Sequence, residues 1–512
     1  MTRFLPRSGL AAVASALLVS ALAYVPMILS GHLTRDSGVF LYTGMVVSRG
    51  GMPYVESWDH KGPLLAAIEA LAWQVGGGIV GAPILEGIVM FAGLAVAGVL
   101  WSRLIGYAAV PAVLVVGVTY LGVFEGGNFT ETWLFPVQLV AYSAAAHLGL
   151  RSGLDAPSRA AASVGLVLGL ALAVGLFTRM NNVVGLVLVV LVGVVVLRRR
   201  WIFVAAAVAA VAAVGAALTL WLWSGDALRA GIDQYLRYNL FYSGGTTTSD
   251  RLSAFGTLAQ LLVSGAVVVA VLLLAGAWLA LGRKQGAVDG TPTFVLAVFF
   301  AVGGLDALSQ MVSGRPYPHY LVVAIAGFAV AGIVLVACLL ALASRMPASS
   351  GRRGRRVARA IVVAGAILLV LAGSSSSALQ WARIAKGSGV FVAGSYQAQL
   401  VDRVVAETTP NDRVLVHGAE TWILAASERL SPTSITYSLP VEQGYGGLPA
   451  QYLADVTSFP PSLIVESPES CGISIECPPD KANFTGLAPF VASSYQLEGE
   501  VVGFRFWRRN AG

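Results

Sequence analysis

Charge is scarce in this chain. Lys, Arg, Asp and Glu make up 12% of its 512 residues against 56% hydrophobic, and the mean hydropathy is +0.76, which excludes a soluble globular protein of this length. Cysteine is almost absent too. Of the three, Cys338 lies inside an apolar run, while Cys471 and Cys477 fall in a polar C-terminal tail. No HExxH, CxxC pair or Ser/His/Asp order is present, so zinc-hydrolase and triad chemistries have no motif to rest on. The tail lacks a GxGxxG or P-loop pattern, which argues against a nucleotide site there. The net charge of +7 does not indicate nucleic acid, because the arginines sit in short clusters between apolar runs, where the positive-inside rule already accounts for them.

Long apolar runs are what the chain has in abundance. Most are about 17 to 25 residues, enough to cross roughly 30 Å of hydrocarbon, so the fold class is an α-helical polytopic membrane protein. Met1 to Arg7 is short and basic and Leu10 to Ser30 apolar, a pattern shared by a signal peptide cleaved after Ala21-Leu22-Ala23. The run continues past that site to Ile28 and Leu29, which favours a membrane anchor. Leu64 to Val75 is about a dozen residues long and marginal as a span. If it lies in the interface, spans fall near 82 to 102, 107 to 124, 133 to 149, 161 to 177, 183 to 197, 201 to 223, 255 to 281, 292 to 312, 319 to 343 and 360 to 378. Arg103, Arg151, Arg159, Arg198 to Arg200, Arg283, Lys284, Arg345 and the Arg352 to Arg359 cluster then share the cytoplasmic side with Arg3 and Arg7. Were Leu64 to Val75 to cross, every later cluster would move outside. The sequence therefore predicts about eleven transmembrane helices with interfacial helices in the first outer loop, in a multi-pass plasma-membrane protein whose N-terminus is cytoplasmic.

That parity puts the first loop, 31–81, outside together with Glu125 to Trp133, Thr178 to Asn182, Ser224 to Arg251 and Ser313 to Tyr320. The tail, 380–512, drops in hydrophobicity and reads as a small extracytoplasmic α/β domain following a transmembrane domain, 1–379. Arg413 to His417 and Ser462 to Val465 pattern as buried strands, Gln397 to Glu407 and Glu420 to Ser427 as helices, and Val501 to Trp507 as a terminal strand. Cys471 and Cys477 enclose a short loop in this exported tail, which predicts a disulfide; the alternative is two reduced cysteines that are merely close in sequence.

The first loop, His32 to Leu65, is the only polar, motif-bearing segment in roughly the first 120 residues. It opens with Asp36 and closes with Trp58-Asp59-His60-Lys61-Gly62-Pro63. A solvated connection needs no such set of acid, aromatic, imidazole and ammonium, whereas a site for an anionic lipid-linked substrate at the membrane surface does. Asp36 is otherwise a helix cap or a solvated loop acid. Lys61 is presented from a turn before Gly62-Pro63 at the depth of lipid phosphates; its plainer role is to anchor the interfacial helix. His60 is a proton carrier or hydrogen-bond donor, or simply a neighbour of the site. Tyr54, Trp58 and Trp73 divide between a sugar platform and interfacial belt aromatics. Glu131, at the start of a span, is either a site acid or an acid favoured by the helix dipole. Arg179 with Asn181 and Asn182, and Arg315 with His319 and Tyr320, supply cations and donors for a phosphate, against ordinary capping of helix ends. Asp306 is buried in its apolar run, where Arg315 is the expected partner. Asn128-Phe129-Thr130 and Asn483-Phe484-Thr485 match the glycosylation sequon, a weak three-residue signal.

An acid just after the first span, then Gly50-Gly51-Met52-Pro53-Tyr54, then Trp58 to Pro63, together resemble the polyprenyl-phosphate-sugar-dependent glycosyltransferases of the C-type (GT-C) superfamily. Protein O-mannosyltransferases and lipid A aminoarabinose transferases belong to it. The resemblance covers the first loop well, the Glu131 and Arg315 to Tyr320 segments loosely, and the tail only as a generic outer domain. It implies that Asp36 is the catalytic base on an acceptor hydroxyl and that Lys61 helps to hold the donor phosphate. Arg179 and Arg315 are the other candidate phosphate ligands, and Tyr54, Trp58, Asp59, His60, Glu131, Asn182, His319 and Tyr320 the candidate substrate contacts. The implied partners are a polyprenyl-phosphate-linked hexose or pentose donor, a glycan, lipid or protein acceptor in the cell envelope, and membrane lipids. No cofactor is implied. Ser37 stands where many members carry a second acid and Asp36 forms no DxD motif, so the acceptor and any divalent metal stay open. A transporter or flippase of lipid-linked sugars is the main alternative, but it would gather charges and broken helices near mid-membrane, often in two related halves. A non-enzymatic assembly or sensor protein would leave Asp36 and the Trp58 to Pro63 motif without a role.

Overall fold

The computed structural model describes residues 6–31, 33–153, 155–265, 290–344, 395–478 and 486–510, with 268, 270–272, 274, 275 and 484. The expected span at 360 to 378, much of that at 255 to 281, Arg283, Lys284, Arg345, the Arg352 to Arg359 cluster and the Asn483 sequon position lie outside the described residues. The chain forms two compact units that interleave in sequence. The first is Met1–Val25, Glu86–Ala217 and Thr246–Trp381, and the second is Pro26–Leu85, Leu218–Gly245 and Ala382–Gly512. The composition boundary at 379/380 and these spatial units cut the chain differently.

The first unit is helical. Every expected span up to 319 to 343 contains a helix: Arg7–Ser30, Gly81–Ile105, Ala109–Val123, Thr130–Ser152, Ser158–Thr178, Val184–Val196, Arg200–Ser224, Thr248–Ser264, Gly290–Met311 and Val322–Ser344. Among the described residues, seven helical stretches are long and apolar enough to cross a membrane, which makes this an integral membrane protein. One of them, Gly81–Val123, is broken by a 3-10 turn at Gly106–Ala108, where Gly106 has a φ of +60°. Between apolar helices association comes from close packing, and small residues let backbones approach. Thus Gly165 and Gly169 of Ser158–Thr178 abut the backbone at Phe203 and Ala207 of Arg200–Ser224. Gly303 and Gly327 likewise bring Gly290–Met311 and Val322–Ser344 together.

The buried Asp306 has a structural explanation in this unit. Its Oδ1 accepts from the Gly185 backbone N–H at 2.7 Å, and its Oδ2 from Gln138 Nε2 and Tyr142 OH at 3.0 Å each. It therefore caps the start of Val184–Val196 from another helix, replacing the expected pair with Arg315. The first N–H groups of a helix have no partner within it, and this is one of them.

The second unit is an α/β body. Its sheet runs in the order β1-β2-β4-β3, with β1 Val414–His417, β2 Leu463–Glu466, β3 Tyr495–Val501 and β4 Phe504–Arg509. β1 and β2 pair in parallel across a crossover that contains Trp422–Ser427, Leu439–Glu442 and Leu448–Ser458, and both strands are wholly buried. The expected Val501 to Trp507 strand is instead the turn and second arm of an antiparallel hairpin. Val502 and Gly503 turn it at φ +50° and +84°, a primed turn that suits strand twist. A Cys471–Cys477 disulfide closes a loop after β2, and Glu466 holds that loop by accepting from Ser474 N and Oγ at 2.8 and 2.6 Å.

The first loop is built into this body. Arg35–Ser48 is a helix rather than an open polar segment, buried continuously from Ser37 to Val46. Leu41, Tyr42 and Met45 share one core cluster with Leu400, Val404, Val414, Ile423, Leu463, Val465 and Phe506. The helix after Pro63 forms as expected, Pro63–Gly76, with Pro63 at its first turn and Gly77 ending it in the left-handed region. At 14 residues it is about 20 Å long, too short for a span.

Candidate functional site

Asp36 sits in the first turn of Arg35–Ser48, where the helix dipole favours an acid. Thr34 caps that turn: its Oγ1 accepts from Ser37 N at 3.2 Å, and Ser37 Oγ accepts from Thr34 N at 2.7 Å. Ser37, the residue where many C-type members have a second acid, is thus a capping group here. Two glycines set the depth of the helix. A Cβ on Gly38 would lie 2.5 Å from Trp422 N, and one on Gly44 2.6 Å from the Glu69 carbonyl. Arg35 beside the acid is engaged by Glu420 at 2.8 Å and Glu469 at 2.6 Å. Asp36 itself is exposed, and no described residue hydrogen-bonds or ion-pairs its carboxylate.

The Trp58 to Pro63 turn belongs to the same unit and is held from within and from far along the chain. Asp59 Oδ1 accepts from His60 N at 2.7 Å and Lys61 N at 3.3 Å, while Tyr54 OH donates to Lys61 O at 2.7 Å. Gln234 clamps the approach, accepting from Asp59 N at 3.1 Å and donating to Tyr54 O at 2.7 Å, and Asn239 donates to His60 O at 2.7 Å. Trp58 N donates to Ser434 O, and the Trp58 ring packs against Tyr238 and Tyr437 with centroids 4.8 and 5.6 Å away. At 2% and 4% exposure, the Trp58 and Tyr54 rings face protein; they present neither an open sugar platform nor a lipid-facing belt. Sequence reading missed Gln234, Tyr238, Asn239, Ser434 and Tyr437. A signal existed for three of them: Gln234, Tyr238 and Asn239 recur at helical spacing in a polar segment placed beside the motif loop.

Asp59 is the titratable group this packing perturbs. Burial pushes its carboxyl up to about 6 from 3.8, and the Asp36 charge adds to the rise, against Lys61 and the two backbone N–H groups. A folded pKa above the unfolded one means that the folded state holds the proton more tightly. The stability tied to this group is therefore full below about pH 4 and is lost as pH climbs through about 6. Asp59→Asn keeps the Oδ1 acceptor without the charge. Relative to wild type it is expected to gain thermal stability between about pH 4 and pH 7. Parallel unfolding midpoints across that range would show that the Asp59 charge costs the fold nothing.

The remaining expected site residues lie in the first unit. Glu131, in the first turn of Thr130–Ser152, is buried and ion-paired with Arg179, and Thr130 Oγ1 donates to it at 2.9 Å. The Arg179 guanidinium lies over the Tyr320 ring, 4.1 Å from its centroid. Asn182 is buried and accepts from Gln310 Nε2 at 3.1 Å. His319 stacks on Phe129 at 3.9 Å and meets Glu125 Oε2 through its backbone N–H at 3.0 Å and Nδ1 at 2.6 Å. The Glu125 carboxyl is pushed up by burial but ends below its ordinary range because the His319 contacts outweigh that burial. Arg315 is exposed, with its charge acting on Asp250. Asn128 of the first sequon is buried and accepts from Trp133 Nε1 at 2.9 Å, so it is a structural residue in this fold. Among the described residues, no group of three or more His, Cys, Asp or Glu is placed to hold a metal ion.

No family model and no curated protein matches the sequence. Solved structures do match. The crystal structure of ArnT from Cupriavidus metallidurans bound to undecaprenyl phosphate superposes with a TM-score of 0.60 at 14% identity, over 98% of this chain and 97% of that one. The apo state of the same protein gives 0.61 at 15%, over 97% and 96%. The chain has the ArnT fold. This is the C-type glycosyltransferase fold that the first loop implies, extended over nearly the whole length. The ArnT likeness therefore takes in the tail, which the sequence resemblance covered only generically.

Proposed function

We propose that this protein is a membrane glycosyltransferase that moves a sugar from a polyprenyl phosphate donor to an acceptor hydroxyl on the extracytoplasmic face. One observation carries the reading: an exposed Asp36 carboxylate, without a hydrogen-bond or ion-pair partner among the described residues, on a capped helix wedged in place by Gly38 and Gly44, in the unit that also orders Lys61. The bound undecaprenyl phosphate of the ArnT structure supports the donor class. Asp36 takes the acceptor proton, the acceptor oxygen attacks the anomeric carbon, and the bond from that carbon to the phosphate oxygen breaks. The polyprenyl phosphate leaves with the bonding pair, its charge met by the Lys61 ammonium. A donor with such a leaving group asks little more of the enzyme. Arg179 is ion-paired with Glu131 and lies over Tyr320, and the reading takes Lys61, which belongs to the same unit as Asp36, as the cation.

Two measurements test it. Purified protein is expected to carry polyprenyl phosphate detectable by mass spectrometry and to transfer sugar from a polyprenyl-phosphate donor. Binding without turnover would make it a carrier, and neither would overturn the reading. For sidedness, single cysteines at Ser243 and Glu442 are expected to label only from outside, and one at Arg200 only from the cytoplasm, because cation clusters fix orientation. Labelling of Ser243 and Arg200 from the same side would remove the acceptor-facing placement of Asp36.

A further inference from the structure

The Lys61 ammonium is held through an imidazole by a tyrosine from the far end of the chain. Lys61 Nζ lies 3.2 Å from His60 Nε2, and His60 Nδ1 lies 2.9 Å from Tyr437 OH. An ammonium has only protons to offer, so in this contact Nε2 must accept. The imidazole is then the neutral tautomer with its proton on Nδ1, and Nδ1–H donates to the Tyr437 oxygen. Asp59 Oδ1, 3.6 Å from Nδ1, favours a proton at that position. The backbone of the turn is already held by Asp59, Tyr54 and Asn239, whereas the imidazole addresses the ammonium itself.

We propose that Tyr437, acting through the neutral imidazole of His60, is the positioning residue for the Lys61 ammonium. This rests on the reading of Lys61 as the donor-phosphate cation and gives the 382–512 segment a part in donor binding. Tyr437 needs no contact with the donor. Its hydroxyl accepts from Nδ1–H and so holds the ring plane of His60, which determines where the ammonium points. The groups facing His60 are consistent with this role: Asp59 and Lys61 on its own turn, Tyr437, and Tyr238 and Tyr242 of the Tyr238–Gly244 helix, whose rings lie 5.5 and 6.1 Å away.

The test uses the full-length protein, with undecaprenyl phosphate as the binding probe and acylation of Lys61, followed by peptide mass spectrometry, as a readout independent of the donor. Tyr437→Phe keeps the ring that packs on Trp58 and removes only the hydroxyl. It is expected to weaken probe binding about three- to tenfold and to change the Lys61 acylation rate. In a Lys61→Ala background it is expected to have no further effect on binding, because the two act as one unit. Tyr452→Phe is the control: it removes another tyrosine hydroxyl bonded to a histidine, His417 at 3.0 Å, and should leave probe binding unchanged. Additive effects of Tyr437→Phe and Lys61→Ala, an equal loss in Tyr452→Phe, or an unchanged acylation rate would overturn the inference while the proposed function stands. If Lys61→Ala binds the probe as wild type does, the proposed role of Lys61 fails and the inference with it, even where the acylation rate shows the contact to be real.

Discussion

Asp36→Asn is expected to yield a folded, membrane-inserted protein that binds polyprenyl phosphate sugar and has lost transfer. The substitution preserves size and leaves the Thr34–Ser37 cap intact, since that cap uses neither carboxylate oxygen. No described residue depends on the Asp36 carboxylate, so stability should move little beyond a weakened helix-dipole contribution of about 0.3–1 kcal/mol. An amide cannot take the acceptor proton. General-base catalysis is commonly worth about 10² to 10⁴ in rate, and that is the expected fall in kcat with little change in donor affinity. Turnover and donor binding measured on the purified variant separate the two. A variant that transfers at close to the wild-type rate makes Asp36 a capping acid and ends the mechanism. One that loses donor binding instead assigns Asp36 to the donor rather than to the acceptor.

Gly44→Ala is expected to lower thermal stability and turnover together, although no polar side chain is altered. The added Cβ would stand 2.6 Å from the Glu69 carbonyl carbon and oxygen and 2.8 Å from its Cβ. Backbone cannot rotate aside, so the two helices must separate. Overpacking of this kind costs about 1–3 kcal/mol, more than the roughly 1 kcal/mol of helix propensity that Ala brings. The displaced helix carries Asp36, and a misplacement of about 1 Å can cost on the order of 10² in rate. Gly122→Ala is the comparison, because a Cβ there meets nothing within 4 Å and only the propensity gain remains. Unfolding midpoints in detergent, read beside turnover, check both. Equal midpoints and rates for the two variants would mean that the Arg35–Ser48 helix has slack against Pro63–Gly76.

The spans and the chemistry-bearing first loop were legible in the sequence because both are local properties. An apolar run long enough to cross hydrocarbon announces itself residue by residue, and so do Pro63 starting a helix and Gly77 ending one. β1 and β2 were equally plain, since strands buried on both faces read as unbroken apolar runs. β3 was not: Tyr495, Leu497 and Val501 alternate with Gln496, Glu498 and Glu500, but Gly499 interrupts the alternation and most of the arm is exposed. The sequence reading left Phe40 to Val46 inside a polar loop: their hydrophobicity belongs to a helix in the α/β core, and many of the residues that cluster with Leu41, Tyr42, Met45 and Val46 lie beyond position 395. Only the tertiary structure joined Glu131 to Arg179, gave Asp306 to Gly185, and set Tyr437 on His60 across 377 positions. The physical reason is one of range. Hydrophobic length, caps and turns depend on neighbours along the chain. A side chain's partner depends on which distant backbones can approach, and here glycines such as Gly38 and Gly44 decide that only once the helices have packed.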